Sequence, residues 1–255
     1  MPWSSASPPF RSCSPAGDPR GTGPARARTL DSVLVLALDT ATPAVTAGVV
    51  ELTGAGVALR SARVERDARK HAELLMPGVQ GACADAGVTL RDLDAVVVGA
   101  GPGPFTGLRV GMVTAAALGD GLGLPVHGVC SLDAIAVDAA AEPLAGPLLV
   151  VTDARRHEVY WAAYDATGRR SEGPHVSSPA VAAERGAELA AVASAGDLAG
   201  AVGLTVLPQQ SPSPAGLVAV AAEVLRSGAG PGPLEPLYLR RPDAAPPGER
   251  KRVTA

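Results

Sequence analysis

Aromatic side chains are scarce in this chain: two Phe, two Trp and three Tyr, 3% of 255 residues. A core must therefore be built from Ala, Val and Leu, and a hydrophobic share of 47% against 18% charged supplies enough of them to exclude wholesale disorder. Cysteine is nearly missing too. Cys13, Cys83 and Cys130 are odd in number and form no CxxC pair, which excludes a zinc knuckle or disulfide framework and points to a reducing compartment. No apolar run approaches the roughly 18 residues of a membrane helix. With a net charge of -3 and no basic run in its body, the chain does not grip a nucleic-acid backbone by itself. Four histidines, His71, His127, His157 and His175, are scattered; the residue four after His71 is Leu75, so no HExxH or HxxxH metal pair exists and a metallopeptidase is excluded. GxSxG, the serine-hydrolase elbow, is also missing.

What is present is an alternation of short apolar runs and helical patterns. Residues 33–38 read as a buried strand, "DTATPA" as a turn, and residues 45–50 as a second strand of a hairpin, with "VALRSARVE" as a third. In "HAELLMPGVQGACADAG", Leu74, Leu75, Val79 and Cys83 recur at helical spacing; Pro77 kinks this helix or marks its start, and Gly87 stops it. "LDAVVVG" is a further strand. The glycine turn "GAGPGPFTG" then opens a helix over 106–122, with Leu108, Met112, Ala115 and Ala116 on one face. Gly111, Ala115 and Gly119 form a slim side, expected to admit a neighbouring helix. "PVHGVC" is a strand, with Ser131 as N-cap of the next helix. Strand, Asp turn and strand then recur: residues 148–152 and 158–164 repeat the opening hairpin, with Asp39 and Asp153 at equivalent places. "AERGAELAAV" and "AGLVAVAAEVLRSG" look helical, "LPQQSPSPA" is a loop, and "PLYLR" closes as a short strand. This is a duplicated α/β chain of two lobes.

Three constellations carry chemistry. The glycine turn lacks the lysine of a phosphate-binding GxxxxGK[ST] loop, its GxGxxxG spacing is one residue too long for a dinucleotide fingerprint, and Pro102 and Pro104 remove two N–H groups. It still delivers a helix N-terminus, with Arg109 in the first turn, so a structural corner and an anion contact both stand. Asp39 with Thr40 and Thr42, and Asp153 across a cleft, suit Mg²⁺ and phosphate oxygens, or else each Asp caps its own turn. The two helices opening near His71 and Thr106 either bury each other or leave an apolar face for a partner.

Taken together, "LALDTAT", "HAELLMP", "GPGPFTGLRVGM", "DARRHEVYWAAY" and "PLYLR", in that order over residues 33–241, resemble the TsaB (YeaZ) family of the actin-like superfamily, with Pro104 where the family has Ser. The resemblance implies a duplicated actin-like (RNase H-like) two-lobed fold with mixed sheets flanked by helices. It implies a cytoplasmic, non-catalytic scaffold in tRNA N6-threonylcarbamoyladenosine synthesis. Its expected partners are a TsaD-like paralogue that carries the metal and a TsaE-like ATPase; a homodimer forms when the paralogue is missing, and tRNA is met only through the complex. Carried onto this sequence, the partner interface comprises His71, Leu74, Leu75, Val79, Leu108, Arg109 and Met112. No metal or catalytic residue is expected. At most a weak, degenerate ATP or ADP site survives at Asp39, Thr40, Thr42 and Asp153; the rival reading is a nucleotide-dependent enzyme using those acids. The expected organisation is an N-terminal extension over 1–30 (a disordered tail, or an organelle transit peptide), lobes over 31–135 and 136–241, and a flexible tail over 242–255.

Overall fold

Short Val, Ala and Leu runs form the inner strands here because both faces of those strands are covered. In the computed structural model, which describes residues 32–67, 69–143 and 146–240, β1 (Ser32–Asp39), β2 (Ala44–Thr53) and β3 (Gly56–Arg66) form an antiparallel meander. Helix α1 (His71–Asp85) and a 3-10 turn, Leu90–Asp92, lead to β4 (Ala95–Gly99), which pairs parallel with β1. Then follow α2 (Phe105–Leu122), β5 (Val126–Val129) and α3 (Ser131–Ala140). The second set is β6 (Leu148–Asp153), β7 (Val159–Tyr164), β8 (Arg170–Ser177), α4 (Pro179–Glu188), β9 (Ala193–Ala195), β10 (Thr205–Val206) and α5 (Pro214–Ser227). One sheet runs β3-β2-β1-β4-β5 and the other β8-β7-β6-β9-β10, the same order with each strand replaced by its counterpart. The duplication therefore extends from the two hairpins to the whole sheets.

Strand alternation sorts the core into layers. Leu36 and Leu38 of β1 face α1 and α2, while Val35 and Ala37 face α5 and Ala134 of α3. In the second sheet Leu148 and Val150 face Leu132, Ile135 and Ala139 of α3, and Leu149 and Val151 face Ala182 of α4. Helix α5 lies in the second half of the sequence yet packs Leu217, Val218 and Ala221 on the first sheet. The division expected at 135/136 falls inside α3, and the described residues belong to one compact unit. The expected extension and tail lie outside the described residues, as does Cys13. Among the described residues no helix is long and apolar enough to cross a membrane.

Local readings fare unevenly. Helix α1 carries Pro77 in its interior and ends as expected at Gly87 (φ 67°), where Val88 N–H donates to Cys83 O and Gly87 N–H to Ala84 O. The slim side of α2 receives the first sheet and its turn, not a helix: Gly111 lies on Thr40, and a Cβ at Gly119 would overlap Val126. Ala116 is exposed, one step off the buried stripe of Leu108, Met112 and Ala115. "PLYLR" forms no strand; its single ladder-like bond is Leu237 N–H to Ala100 O at 2.8 Å.

Candidate functional site

The "DTAT" turn follows β1 and is buried to its last hydroxyl. Asp39 is 0% exposed, its Oδ1 accepts the Ala41 N–H at 2.8 Å, and its Oδ2 accepts the Ser131 hydroxyl at 2.5 Å. A Cβ at Gly99 would overlap Oδ2, so only glycine admits the carboxylate there. Burial pushes the Asp39 carboxyl up to about 6, opposed by the bonds from Ser131 and Ala41 and by the field of His71. Ser131 is thus not the expected N-cap. Cys130 holds that position without a side-chain bond, and the Ser131 hydroxyl, one residue on, turns inward to Asp39.

Thr40 and Thr42 are used in the same way. The Thr40 hydroxyl donates to Gly107 O at 2.7 Å and accepts from Gly111 N–H at 3.0 Å, which inserts it into one rung of the α2 ladder. Thr42 Oγ1 accepts the Ala44 N–H at 3.3 Å, and its carbonyl accepts His71 Nε2–H at 3.0 Å. The turn fastens β1 to α1, α2 and α3. Beside it lies a cavity of about 290 Å³ whose lining includes Thr40, Thr42, Arg69, His71, Gly107 and Arg155 and, among the described residues, no carboxylate. Arg109 is not there. Its guanidinium lies 3.8 Å over the Phe105 ring and its Nε donates to Tyr238 OH at 3.2 Å.

Asp153 matches Asp39 in position along the strand but not in face. Asp39 shares the α3–α5 side of its sheet, whereas Asp153 follows Leu149 and Val151 to the α4 side. Thr152 takes the face equivalent to that of Asp39, buried and with its hydroxyl unpartnered among the described residues. Asp153 accepts the Arg155 N–H at 2.7 Å and pairs with the Arg155 guanidinium at 3.0 Å, and its own N–H donates to Asp197. Burial, and then the charge of Asp153, raise Asp197 to about 6. The two acids are therefore not a matched pair. Among the described residues no group of three His, Cys, Asp or Glu side chains is arranged to hold a metal.

The expected interface residues lie mostly inward. Leu75 (1% exposed), Val79 and Met112 (7%) sit in the chain's own core against the first sheet, Leu74 is half-buried on it, and Leu108 is fully buried beside the glycine turn at Gly101. The helical stripe that periodicity detects is the one the sheet claims. What α1 and α2 leave outward is Ala72, Phe105 (40% exposed), Arg109, Val110 and Val113 (65%), lining an open groove, with Tyr238 stacked on Phe105 at 5.0 Å. Of the expected set, only Arg109 lies there; His71 is held on Thr42.

Known proteins share this arrangement. The family described as "TsaD: tRNA N6-adenosine threonylcarbamoyltransferase" matches residues 64–228. A crystal structure of a Pseudomonas aeruginosa protein described as similar to peptidase YEAZ is 31% identical, with a TM-score of 0.66 over 82% of this chain and 100% of that one. The chain belongs to the TsaB (YeaZ) family. An uncharacterized protein of Mycobacterium tuberculosis is 54% identical over 212 residues, 83% of this chain and 94% of its own length. The tRNA threonylcarbamoyladenosine biosynthesis protein TsaB of Escherichia coli is 39% identical over 130 residues, 51% of this chain and 54% of that protein. The fold is accordingly the duplicated actin-like one, with "LALDTAT" and "DARRHEVYWAAY" at corresponding corners of its two sheets.

Proposed function

We propose that the chain serves tRNA N6-threonylcarbamoyladenosine synthesis as a cytoplasmic docking and activating subunit and performs no chemistry of its own. The observation that carries this reading is the sealed turn. Asp39 is fully buried, both its oxygens are bonded, and Oδ2 lies so close over Gly99 that a Cβ there would overlap it. A residue that must hold Mg²⁺ or polarise a phosphate has to reach it. The second support is the α1–α2 groove, where Phe105 and Val113 stay in water although the core is short of aromatics. In this reading the groove receives a TsaD-like paralogue that transfers the threonylcarbamoyl group, or a second copy when the paralogue is missing; a TsaE-like ATPase joins the complex, and tRNA is met only there. Co-purification with the paralogue tests it. Val113→Asp should abolish the pairing while the chain stays folded; persistence of the complex would overturn the proposed face, and threonylcarbamoyl-tRNA formed by the chain alone would overturn the whole reading.

One observation favours a second reading. The cavity beside Thr40 is lined by Arg69, His71 and Arg155 and, among the described residues, by no acid, and it abuts the first turn of α2, a setting that attracts an anion such as a nucleotide phosphate. A nucleotide enzyme built on Asp39 and Asp153 would need micromolar Mg-ATP binding by calorimetry, lost in Asp39→Ala. A weak phosphate contact alone would be lost in Arg155→Ala and indifferent to Mg²⁺.

A further inference from the structure

We propose that residues 229–240 form a strap that couples the α2 docking face to the β6–β7 turn, so that a partner displacing Tyr238 from Phe105 releases Arg155 and its neighbours on the other lobe. The inference rests on the docking reading above for the identity of the face, and on the strap's own contacts for the coupling. This segment has no helix or strand, and three prolines, Pro231, Pro233 and Pro236, interrupt it. It is nonetheless fixed at successive points. Leu234 packs on Gly128 of β5, where a Cβ would lie 3.0 Å from Leu234 Cδ1. Leu237 N–H donates to Ala100 O at 2.8 Å. The Tyr238 ring lies on Phe105 at 5.0 Å and its hydroxyl accepts from Arg109. Two residues later the chain is gripped by the second lobe: Arg240 Nη1 donates to Ala154 O at 2.7 Å, and Nη2 pairs with Glu158 at 2.7 Å.

Two residues span at most about 7 Å fully extended, so a backbone displacement that lifts Tyr238 off α2 is passed along to Arg240. What Arg240 holds is a turn in a sparsely populated conformation. Arg155, Arg156 and His157 have φ of 63°, 53° and 61°, three successive left-handed residues with no glycine among them. Such conformers persist where their surroundings over-determine them, and Arg240 grips both ends of this one, at Ala154 and at Glu158. Arg155 in turn pairs with Asp153 and lines the cavity beside Thr40 and His71. The structure shows the strap clasped, and the coupling requires an unclasped arrangement as well. A partner whose apolar surface takes the place of Tyr238 on Phe105 binds the unclasped one more tightly and shifts the balance toward it.

Amide hydrogen exchange on the full chain tests this. The Ala154 N–H donates to Glu158 O at 3.1 Å and the Glu158 N–H to Arg155 O at 3.0 Å, so both amides report on the turn. Arg240→Ala should speed both at least tenfold, Tyr238→Ala severalfold, and the core amides of β1 and β4 should keep their wild-type rates. Adding the TsaD-like paralogue to the wild-type chain should give the same acceleration at 154 and 158. Wild-type rates at both amides in Tyr238→Ala would overturn the coupling, as would a paralogue that binds the chain and leaves them unchanged. A paralogue that fails to bind at all refutes the docking reading, and the Tyr238→Ala arm then decides the coupling by itself.

Discussion

Asp39→Asn separates a sealed structural carboxylate from a ligand-binding one. Burial raises the folded-state value from 3.8 to about 6, so the folded chain holds this proton more tightly than the unfolded chain does. The protonated form's contribution to stability is fully present below about pH 4, declines as the pH rises, and is gone above about pH 6 to 7. At 1.36 kcal/mol per unit, the ionised carboxylate is disfavoured by about 3 kcal/mol at neutral pH. Asparagine keeps the shape and removes the charge; its Oδ1 still accepts from Ala41, and the Ser131 hydroxyl can rotate to accept from Nδ2. The variant should match the wild type within ~1 kcal/mol near pH 4 and exceed it by about 3 kcal/mol at pH 7.5. For a folded unit of this size that is an increase in Tm of about 6–12 °C. Thermal melts of both proteins across this pH range, in one buffer series, read the difference. A gap that stays flat with pH, or an Asn variant less stable at pH 7.5, would mean that the hydrogen bonds outweigh burial. In vivo, Asp39→Asn should support tRNA modification; loss of modification with retained fold would restore Asp39 to the active machinery.

Four further perturbations have expected outcomes. Thr40→Val leaves Gly107 C=O and Gly111 N–H without the hydroxyl between them and should cost about 1–3 kcal/mol in urea melts, whereas Thr40→Ser should stay within ~1 kcal/mol of wild type. Leu108→Ala, fully buried beside Gly101, should lose about 2–5 kcal/mol of stability. Val113→Asp on the opposite side of the same helix should stay within ~0.5 kcal/mol in the same melts, yet weaken partner pairing by more than tenfold in a titration. Arg155→Ala should reduce any phosphate affinity of the cavity, read by ³¹P line broadening, without touching the Thr40 and His71 contacts.

The parts legible in the sequence are those whose cause is local. Runs such as "VLVLAL" and "AVVV" must be buried on both faces, and they became central strands. The motif order fixed the family because five stretches had to occur in register. β8 was missed because "RSEGPHVS" has no apolar alternation of its own; it is a strand through pairing with β7, as Val159 with Ser177 shows. β9 and β10, three and two residues long, are too short for any period to register. "PLYLR" has strand-like residues, but Pro236 has no N–H to donate and the Leu237 N–H goes to Ala100 in a loop, so no ladder forms. For the site residues the limit is of another kind. Periodicity finds the apolar stripe of a helix but not its addressee: on α1 and α2 the sheet takes Leu75, Val79 and Met112, and Leu108 is buried as well. The proposed docking face lies among the residues the stripe leaves over: Phe105 and Val113 are apolar where a helix facing only water would be polar. Ser131 makes the same point for Asp39, since its partner is 92 residues away and no window of sequence holds both. The general inference is that in a duplicated fold equal strand position does not guarantee equal face. Asp39 and Asp153 sit at matching strand ends with opposite pleat, and a one-residue difference in phase is enough to turn an apparent pair of acids into one buried brace and one surface ion pair.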